Sequence, residues 1–174
     1  EGAPAETLLA WRDEVMVLCA HRHGPRGVGD INMRIQAGLR RAPRSSSDGV
    51  AFVGMPLIVM RNDSLLGLYN GDIGIVVPDR DHPGGMQAVF QDALGEIRAI
   101  SLSRLPEYEA AFAFTVHKAQ GSQSSSVTLI LPEKVSPILS RELVYTGATR
   151  AQASLQVWGS PEVLSAAIER SARR

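Results

Sequence analysis

The segment from Thr115 to Gln123 carries the residue types of an anion-binding loop. It follows an apolar run that predicts a strand, and α/β proteins bind ligands in loops at the carboxyl ends of their strands. Gly121 allows a phosphate to approach the backbone closely. The other side chains that can hydrogen-bond to a ligand are His117, Lys118, Gln120 and Gln123. The segment therefore predicts phosphate binding, and taken alone a solvated loop explains the same residues equally well.

A second segment, residues 142–151, predicts a helix that carries an arginine near its end. Helical spacing puts Tyr145 and Thr149 on one face and Thr146 and Arg150 on the next, so the arginine can project away from the core. A fixed guanidinium can neutralise the charge that develops on a transferred phosphate. The alternative is a helix arginine paired with a nearby carboxylate, and spacing does not decide between the two.

Patterns at both ends of the chain predict the α/β sheet that would position these segments. Residues 14–20 contain an apolar run of strand length, as a parallel sheet buried on both faces requires. Residues 28–41 space Ile31, Ile35 and Leu39 four apart, as a helix does. Further strands are predicted at 113–116, 127–131 and 155–158, and further helices at 140–151 and 161–173.

The middle of the chain changes character after a turn-rich linker, Arg44–Gly49. Short β-type runs follow, and turns are marked by Asn70-Gly71 and by residues 82–85, since glycine and asparagine accept positive φ at low cost. Short strands at this spacing predict a small closed β-barrel. They are predicted at residues 56–60, 74–77, 87–91 and 97–102.

The simplest assembly of these elements is one α/β domain interrupted by the barrel. The two parts of the α/β domain are predicted at residues 8–49 and 108–174, and the insertion at residues 50–107. The chain opens with Glu1 and a polar stretch, which predicts a fragment of a longer polypeptide. Such a fragment can carry half of a site.

Charge and cysteine content narrow the class of protein. Eighteen basic and eighteen acidic residues give a net charge of zero, so any binding of nucleic acid must be local. The single cysteine, Cys19, lies in an apolar run and suits a reduced thiol better than a disulfide scaffold.

No apolar stretch approaches the roughly 20 residues of a membrane span, so we expect an intracellular protein without membrane contact. No metal site is predicted, because Cys19 forms no ligand spacing with His21, His23, His82 or His117.

Taken together and in this order, the two polar segments resemble a known pair. Residues 115–121 and 144–151 resemble the fifth and sixth conserved motifs of superfamily 1 helicases of the 5′-to-3′ branch. Residues 18–28, with Asn32, are similar to the fourth-motif region of the RecD family, the alpha subunits of exodeoxyribonuclease V. The barrel insertion of that family resembles residues 61–64, 67–74 and 103–106, so the likeness runs from about Val15 to Ile168.

This resemblance implies the C-terminal part of an ATP-dependent DNA helicase. Its fold would be a RecA-like second motor domain of the P-loop NTPase type, a parallel sheet with helices on both faces and an inserted SH3-like β-barrel. Arg150 would be the arginine finger. The implied ATP contacts are Gly121, Gln123, Arg22 and Gln120, with Gln123 standing where the family commonly has glutamate. The implied DNA contacts are Thr115, His117, Lys118, Asn62, Asn70 and Arg61, with a plain turn as the alternative for Asn70.

The family's phosphate-binding loop, Gly-x-x-x-x-Gly-Lys-Ser/Thr, and its acidic magnesium-binding strand have no match in this sequence. ATP and Mg²⁺ are therefore expected only in the full-length protein, and the chain alone is expected to be inactive as an ATPase. The implied partners are single-stranded DNA, duplex DNA ends and the beta and gamma subunits of exodeoxyribonuclease V, in double-strand break repair and recombination in the bacterial cytoplasm. Two alternatives stay open: a non-catalytic nucleic-acid-binding or adaptor module, and a small-molecule enzyme that uses the loop 115–123.

Overall fold

A computed structural model of the chain describes residues 4–40, 51–79, 81–92 and 94–171, and the predicted linker Arg44–Gly49 lies outside them. The chain divides into two compact units, each built from two stretches of sequence. One unit comprises residues 13–36 and 113–174, and the other comprises residues 1–12 and 37–112. The prediction placed the boundaries of the α/β domain at residues 49 and 108 instead.

The elements follow one another in an order that alternates between the two units. The helices are α1 (Ala5–Glu14), α2 (Val28–Arg40), α3 (Arg141–Ala148) and α4 (Pro161–Glu169). The strands are β1 (Val15–Cys19), β2 (Pro56–Val59), β3 (Ile73–Pro78), β4 (Met86–Gln91), β5 (Ile97–Ser101), β6 (Tyr108–Ala110), β7 (Ala113–Thr115), β8 (Ser124–Ile130) and β9 (Ala151–Trp158). Among the described helices, none is long and apolar enough to cross a membrane.

The first unit is built on a four-stranded parallel sheet with the order β7-β1-β8-β9. On one face, Leu18 and Leu129 belong to a buried cluster with Leu143 of α3 and Ala167 of α4. On the other face, Ile31 of α2 packs on a smaller buried cluster that contains Cys19, Ala113 and Ile130. Helices therefore cover both faces, which confirms the predicted α/β class.

Local sequence signals fix where the last two helices begin. Ser140 caps α3, because its hydroxyl accepts a hydrogen bond from the backbone N–H of Leu143 at 3.2 Å. Ser160 caps α4 in the same way, and Pro161 occupies the first turn, where its missing N–H costs nothing.

Strands β8 and β9 begin earlier than predicted, at Ser124 rather than Val127 and at Ala151 rather than Leu155. The serine-rich run before Val127 is polar, so its pattern does not indicate a strand. Instead, the backbone N–H of Ser124 donates to the carbonyl of Arg150 at 2.9 Å, and the hydroxyls of Ser126 and Ser154 bond at 2.8 Å. Pairing between the two strands satisfies polar groups that the apolar pattern alone does not register.

The second unit is a five-stranded antiparallel sheet with the order β5-β4-β3-β2-β6. Four of these strands were predicted, and β6 was not. Gly74 lies so close to the ring of Phe90 that an added Cβ would approach ring atoms to 2.7 Å, which explains the glycine. The ladders among described residues join the strands in one row, and closure into an SH3-like barrel stays a prediction.

Helix α1 was not predicted, because the chain opens with a polar stretch. Its Leu9 is buried with Ile75 and Val89, one from β3 and one from β4. This tertiary contact stabilises a helix whose own sequence has little amphipathic character.

Candidate functional site

The loop from Val116 to Gln123 runs from one end of the parallel strands to the other. We call the side of the sheet where the strands end the carboxyl edge and the side where they begin the amino edge. The loop leaves the carboxyl end of β7, where Thr115 lies opposite Cys19, and it enters the amino end of β8 at Ser124. Because the strands are parallel, the residues predicted to bind a ligand divide between two edges of the sheet. The seven residues of β8 separate these edges by roughly 20 Å at ~3.3 Å per residue.

At the amino edge, Arg150 is held by three neutral oxygen atoms. Its Nε donates to the carbonyl of Thr146 at 3.2 Å, its Nη1 to the carbonyl of Ser122 at 3.3 Å, and its Nη2 to the hydroxyl of Thr149 at 3.3 Å. Within the described part of the chain, the guanidinium thus bonds to carbonyl and hydroxyl groups rather than to a carboxylate. These bonds orient the guanidinium group, and the neutral partners do not neutralise its positive charge.

Gly121 and Gln123 flank Ser122 and therefore lie at the same edge as Arg150. Gly121 has φ +90° with nothing within 4 Å of an added Cβ, so the left-handed backbone explains this glycine, not a crowded neighbour. The Oε1 of Gln123 accepts a hydrogen bond from Nε2 of Gln152 at 3.4 Å. The structure thus brings together Arg150, Gly121 and Gln123 of the predicted nucleotide contacts.

Arg22 lies at the opposite edge, which separates it from the other predicted ATP contacts. Strand β1 ends at Cys19, level with Ile130 at the carboxyl end of β8, and Arg22 belongs to the loop that follows. Its backbone carbonyl accepts a hydrogen bond from Gly29 at 3.2 Å, which holds it near the start of α2. Since Arg150 is at the amino edge, the topology does not support a phosphate shared by Arg22 and Arg150.

The carboxyl edge holds the predicted DNA contacts of this unit. The hydroxyl of Thr115 accepts a hydrogen bond from the backbone N–H of Lys118 at 3.1 Å, and His117 and Lys118 are exposed. Nearby, the buried amide of Asn32 donates to the carbonyl of Ala113 at 3.3 Å and accepts from its N–H at 2.9 Å. These two bonds fix α2 to β7 and hence fix the edge itself.

The loop between β1 and α2 has a conformation set by its own side chains. Arg26 has φ +59°, and its backbone N–H donates to Oδ2 of Asp30 at 2.9 Å. The hydrogen bond from Arg34 at 2.9 Å, followed by that from Arg26, holds the pKa of Asp30 below its usual range. His21 bonds through Nε2 to the hydroxyl of Ser136 at 2.9 Å, which ties this loop to the segment after β8.

Cys19 does not offer a nucleophile at this edge. Burial, and secondarily the charge of Asp30, raise the pKa of the Cys19 thiol to about 12. A thiol in that state is protonated at neutral pH and is unreactive. Among the described residues, no group of three or more His, Cys, Asp or Glu side chains could hold a metal ion.

A cleft of about 570 Å³ opens beside the carboxyl edge, and no sequence pattern predicts it. Gln120, which was predicted to contact ATP, lines this cleft together with His117. Other lining residues come from the segment before α3, from the first turns of α3 and from residues after α4, a combination that only the tertiary fold creates. Its lining residues are Val116, His117, Gln120, Pro137, Ile138, Ser140, Glu142, Leu143, Thr146, Arg170 and Ser171.

In the second unit, the predicted contacts are exposed in the loop between β2 and β3. They are Arg61, Asn62 and Asn70. Oδ1 of Asn62 accepts a hydrogen bond from the backbone N–H of Asn70 at 2.7 Å, so both asparagines have a structural role in the turn. Arg98 donates to the carbonyls of residues 66 and 67 at 3.3 and 3.1 Å, and Leu65 at the tip is fully exposed.

Comparison with known proteins finds sequence similarity to helicases. Residues 110–157 match a family described as the UvrD-like helicase C-terminal domain. The RecBCD enzyme subunit RecD of Mycolicibacterium smegmatis is 44% identical over 95% of this chain and 29% of its own length. RecD of Haemophilus influenzae is 33% identical over 98% of this chain and 25% of its own length. The ATP-dependent RecD2 DNA helicase of Deinococcus radiodurans is 33% identical over 91% of this chain and 22% of its own length. The chain thus spans less than a third of these relatives.

Solved structures are similar in fold. Pif1 helicase from Candida albicans superposes with a TM-score of 0.53 at 16% identity, covering 94% of this chain and 54% of that one. Pif1 helicase from Bacteroides, in complex with ADP-AlF3 and ssDNA, gives a TM-score of 0.52 at 19% identity, covering 83% of this chain and 40% of that one. These likenesses support a RecA-like α/β fold.

Proposed function

We propose that this chain, which is homologous to part of the RecD helicases over nearly its whole length, completes the ATP site of a 5′-to-3′ DNA helicase and lines part of its single-strand path. The two edges of the parallel sheet take separate roles. The amino edge faces the nucleotide, and the carboxyl edge faces the strand.

The charge of Arg150 supports the nucleotide role of the amino edge. Neutral oxygens orient the guanidinium, so a phosphate would be its first anionic partner among the described groups, and a guanidinium can bind a phosphate through two parallel hydrogen bonds. Arg150 would act as the arginine finger, with Gly121 and Gln123 beside the nucleotide. When bound, ATP with Mg²⁺ supplies the phosphoryl group that is hydrolysed. The phosphate-binding loop and the Mg²⁺ ligands would come from the rest of the full-length protein, so the isolated chain would be inactive.

The carboxyl edge offers donors suited to a polyanion. His117 and Lys118 are exposed there after β7, and Arg22 follows β1 at the same edge. We therefore reassign Arg22 from the nucleotide to the phosphates of the strand. In the second unit, Arg61 and Asn62 present further donors beside a rigid turn.

The observation that carries this proposal is the course of the loop 116–123. One short loop connects His117 at the carboxyl edge with Ser122 at the amino edge, and the carbonyl of Ser122 accepts a hydrogen bond from Arg150. A rearrangement of Arg150 around ATP would move Ser122. Because Ser122 and His117 belong to the same short loop, this movement would be transmitted along the backbone to the carboxyl edge, where the DNA strand binds. Such coupling is what a motor that alternates between two domain arrangements requires.

The assembly would follow that of the relatives. Those in M. smegmatis and H. influenzae are named as subunits of RecBCD enzyme. By homology, the full-length protein would work on duplex DNA ends with the beta and gamma subunits of exodeoxyribonuclease V, in double-strand break repair and recombination.

The test is single-turnover ATP hydrolysis and unwinding by the full-length protein with Arg150→Ala. We expect hydrolysis to fall by about 10³-fold, on the order attributed to an arginine finger, while ATP still binds. Arg141→Ala is the matched control, because Arg141 is an exposed arginine at the first residue of α3, whereas Arg150 follows the end of that helix. Near-normal hydrolysis by Arg150→Ala would leave a non-catalytic, nucleic-acid-binding role for the chain.

A further inference from the structure

The cleft beside the carboxyl edge has an apolar floor and polar walls. Val116 and Leu143 are buried beneath it, and Pro137 and Ile138 form one side. The polar groups at its rim belong to three separate stretches of the α/β unit: His117, Gln120, Glu142, Thr146, Arg170 and Ser171. An apolar base with hydrogen-bonding groups around it suits a flat heterocycle, which has two apolar faces and a polar edge.

We propose that this cleft receives one base of the bound single strand, turned out of the stack of its neighbours. This inference rests on the proposed function, because the strand must pass along the carboxyl edge for a base to reach the cleft. His117 belongs both to that edge and to the cleft wall. The phosphates would stay at the edge while one base turns inward.

The faces of the base would lie against His117 on one side and against Pro137 and Ile138 on the other. An imidazole ring stacks on a base, and stacking is tolerant of base identity because every base has a π-face. The volume of about 570 Å³ admits a nucleobase with part of its sugar. The cleft therefore selects for the presence of a base more than for its identity.

Polar groups in the walls can pair with the edge of the base. Oε1 of Glu142 accepts a hydrogen bond from the hydroxyl of Ser171 at 3.0 Å, and Arg170 donates through Nη1 to the carbonyl of Ser136 at 3.2 Å. A guanidinium has five N–H donors, so Arg170 keeps donors for the edge of the base. The two bonds hold the carboxylate and the guanidinium in place.

The cleft is preformed rather than assembled by its occupant. The backbone N–H of Arg141 donates to the carbonyl of Arg170 at 2.8 Å, and the cap at Ser140 fixes the first turn of α3. A site that is already ordered loses little conformational entropy on binding. A purely apolar side chain from a protein partner fits less well, because it would bury Glu142 and Arg170 against carbon.

An abasic scan of a single-stranded oligonucleotide tests the proposal in the full-length protein. Each position in turn loses its base but keeps its sugar and phosphate, and the dissociation constant is measured for every oligonucleotide. At one position, we expect removal of the base to weaken binding by about tenfold, the range of a stacked base. Ile138→Trp fills the cleft and should abolish the dependence at that position alone.

Val135→Trp is the matched control, because Val135 is an exposed apolar residue of the same segment outside the cleft lining. This variant should keep the dependence at the tested position. If Ile138→Trp leaves every abasic effect intact, the cleft holds no base and the proposal is overturned. An effect of Ile138→Trp on assembly with a protein subunit would not change that conclusion. A separate measurement tests the proposed function: binding of the full-length protein to an oligonucleotide that lacks all of its bases. If this binding does not depend on salt, the proposed function fails.

Discussion

The guanidinium of Arg150 donates a hydrogen bond to the backbone carbonyl of Ser122, 3.3 Å away, across the amino edge of the parallel sheet. This bond links the end of α3 to the loop that leads back to His117. The carbonyl is a neutral acceptor, whereas a nucleotide phosphate is charged and forms a stronger bond with the same donor. We therefore expect a bound nucleotide to displace Ser122 from Arg150.

Arg150→Lys tests whether the shape of this side chain matters in addition to its charge. A lysine ammonium is a point charge and cannot reproduce the planar fork that reaches Thr146, Thr149 and Ser122 together. We expect ATP hydrolysis by the full-length protein to fall by about 10²-fold or more, with the affinity for ATP largely kept. Single-turnover hydrolysis and nucleotide titration measure the two effects. A lysine variant within a few-fold of wild type would contradict a finger that depends on geometry.

Arg22→Ala tests the division of roles between the two edges of the sheet. Since Arg22 follows the carboxyl end of β1, its loss should weaken binding of single-stranded DNA and leave ATP binding unchanged. The slope of log affinity against log salt should fall by about 0.7, as expected for one phosphate contact on a single strand. Arg22→Lys is the control, because it keeps the charge and should keep the slope. A loss of ATP affinity with unchanged DNA affinity would return Arg22 to the nucleotide site.

Asn32→Leu should destabilise the α/β unit. The Asn32 amide satisfies both the carbonyl and the N–H of Ala113, and a leucine would leave both groups buried without these bonds. We expect the free energy of unfolding to fall by about 2–4 kcal/mol, since each unsatisfied buried group costs about 1–3 kcal/mol. Chemical denaturation measures the change, and Met33→Leu, at an exposed neighbouring position of α2, should have little effect. An Asn32→Leu protein as stable as wild type would show that these bonds contribute little.

Sequence patterns predicted the elements of this fold that bury apolar side chains, and they missed those held by polar or distant contacts. The run before Cys19 is apolar enough to require a buried strand, and α4 begins at Pro161 as its pattern indicated. The start of β8 at Ser124 depends on pairing with β9, and α1 depends on burial of Leu9 against another part of the chain. Neither contact is local in sequence.

The candidate site was predictable in its residue types and not in its arrangement. The motif at Thr115 to Gln123 indicated a ligand loop, but only the register of parallel strands shows that its two ends face opposite edges. The same register separates Arg22 from Arg150, which linear order cannot reveal. The cleft at Ile138 joins three stretches far apart in sequence, so no local pattern could indicate it.

The buried thiol of Cys19 should make the stability of the protein depend on alkaline pH. Its pKa is about 12 in the folded state against an ordinary value of 9.0, so the folded state holds the proton more tightly than the unfolded state. The resulting stability is fully present below pH 9 and is lost as the pH rises towards 12. Denaturation curves between pH 8 and about 10.5 should therefore converge for wild type and Cys19→Ala. A constant difference between them across that range would show that the thiol does not titrate differently on folding.

Gly74→Ala should destabilise the antiparallel sheet through one close contact. An added Cβ would lie 2.7 Å from the ring of Phe90, which is itself buried, so the ring or the strand must shift. Overpacking of this kind costs about 1–3 kcal/mol. Gly38→Ala is the matched control, because nothing lies within 4 Å of its Cβ, and in a helix it should instead stabilise by up to about 1 kcal/mol. Adding Phe90→Leu to Gly74→Ala should cost less than the sum of the two single changes, since the smaller side chain relieves the clash. If thermal or chemical unfolding shows strictly additive effects, the contact between Gly74 and Phe90 is not what excludes a side chain there.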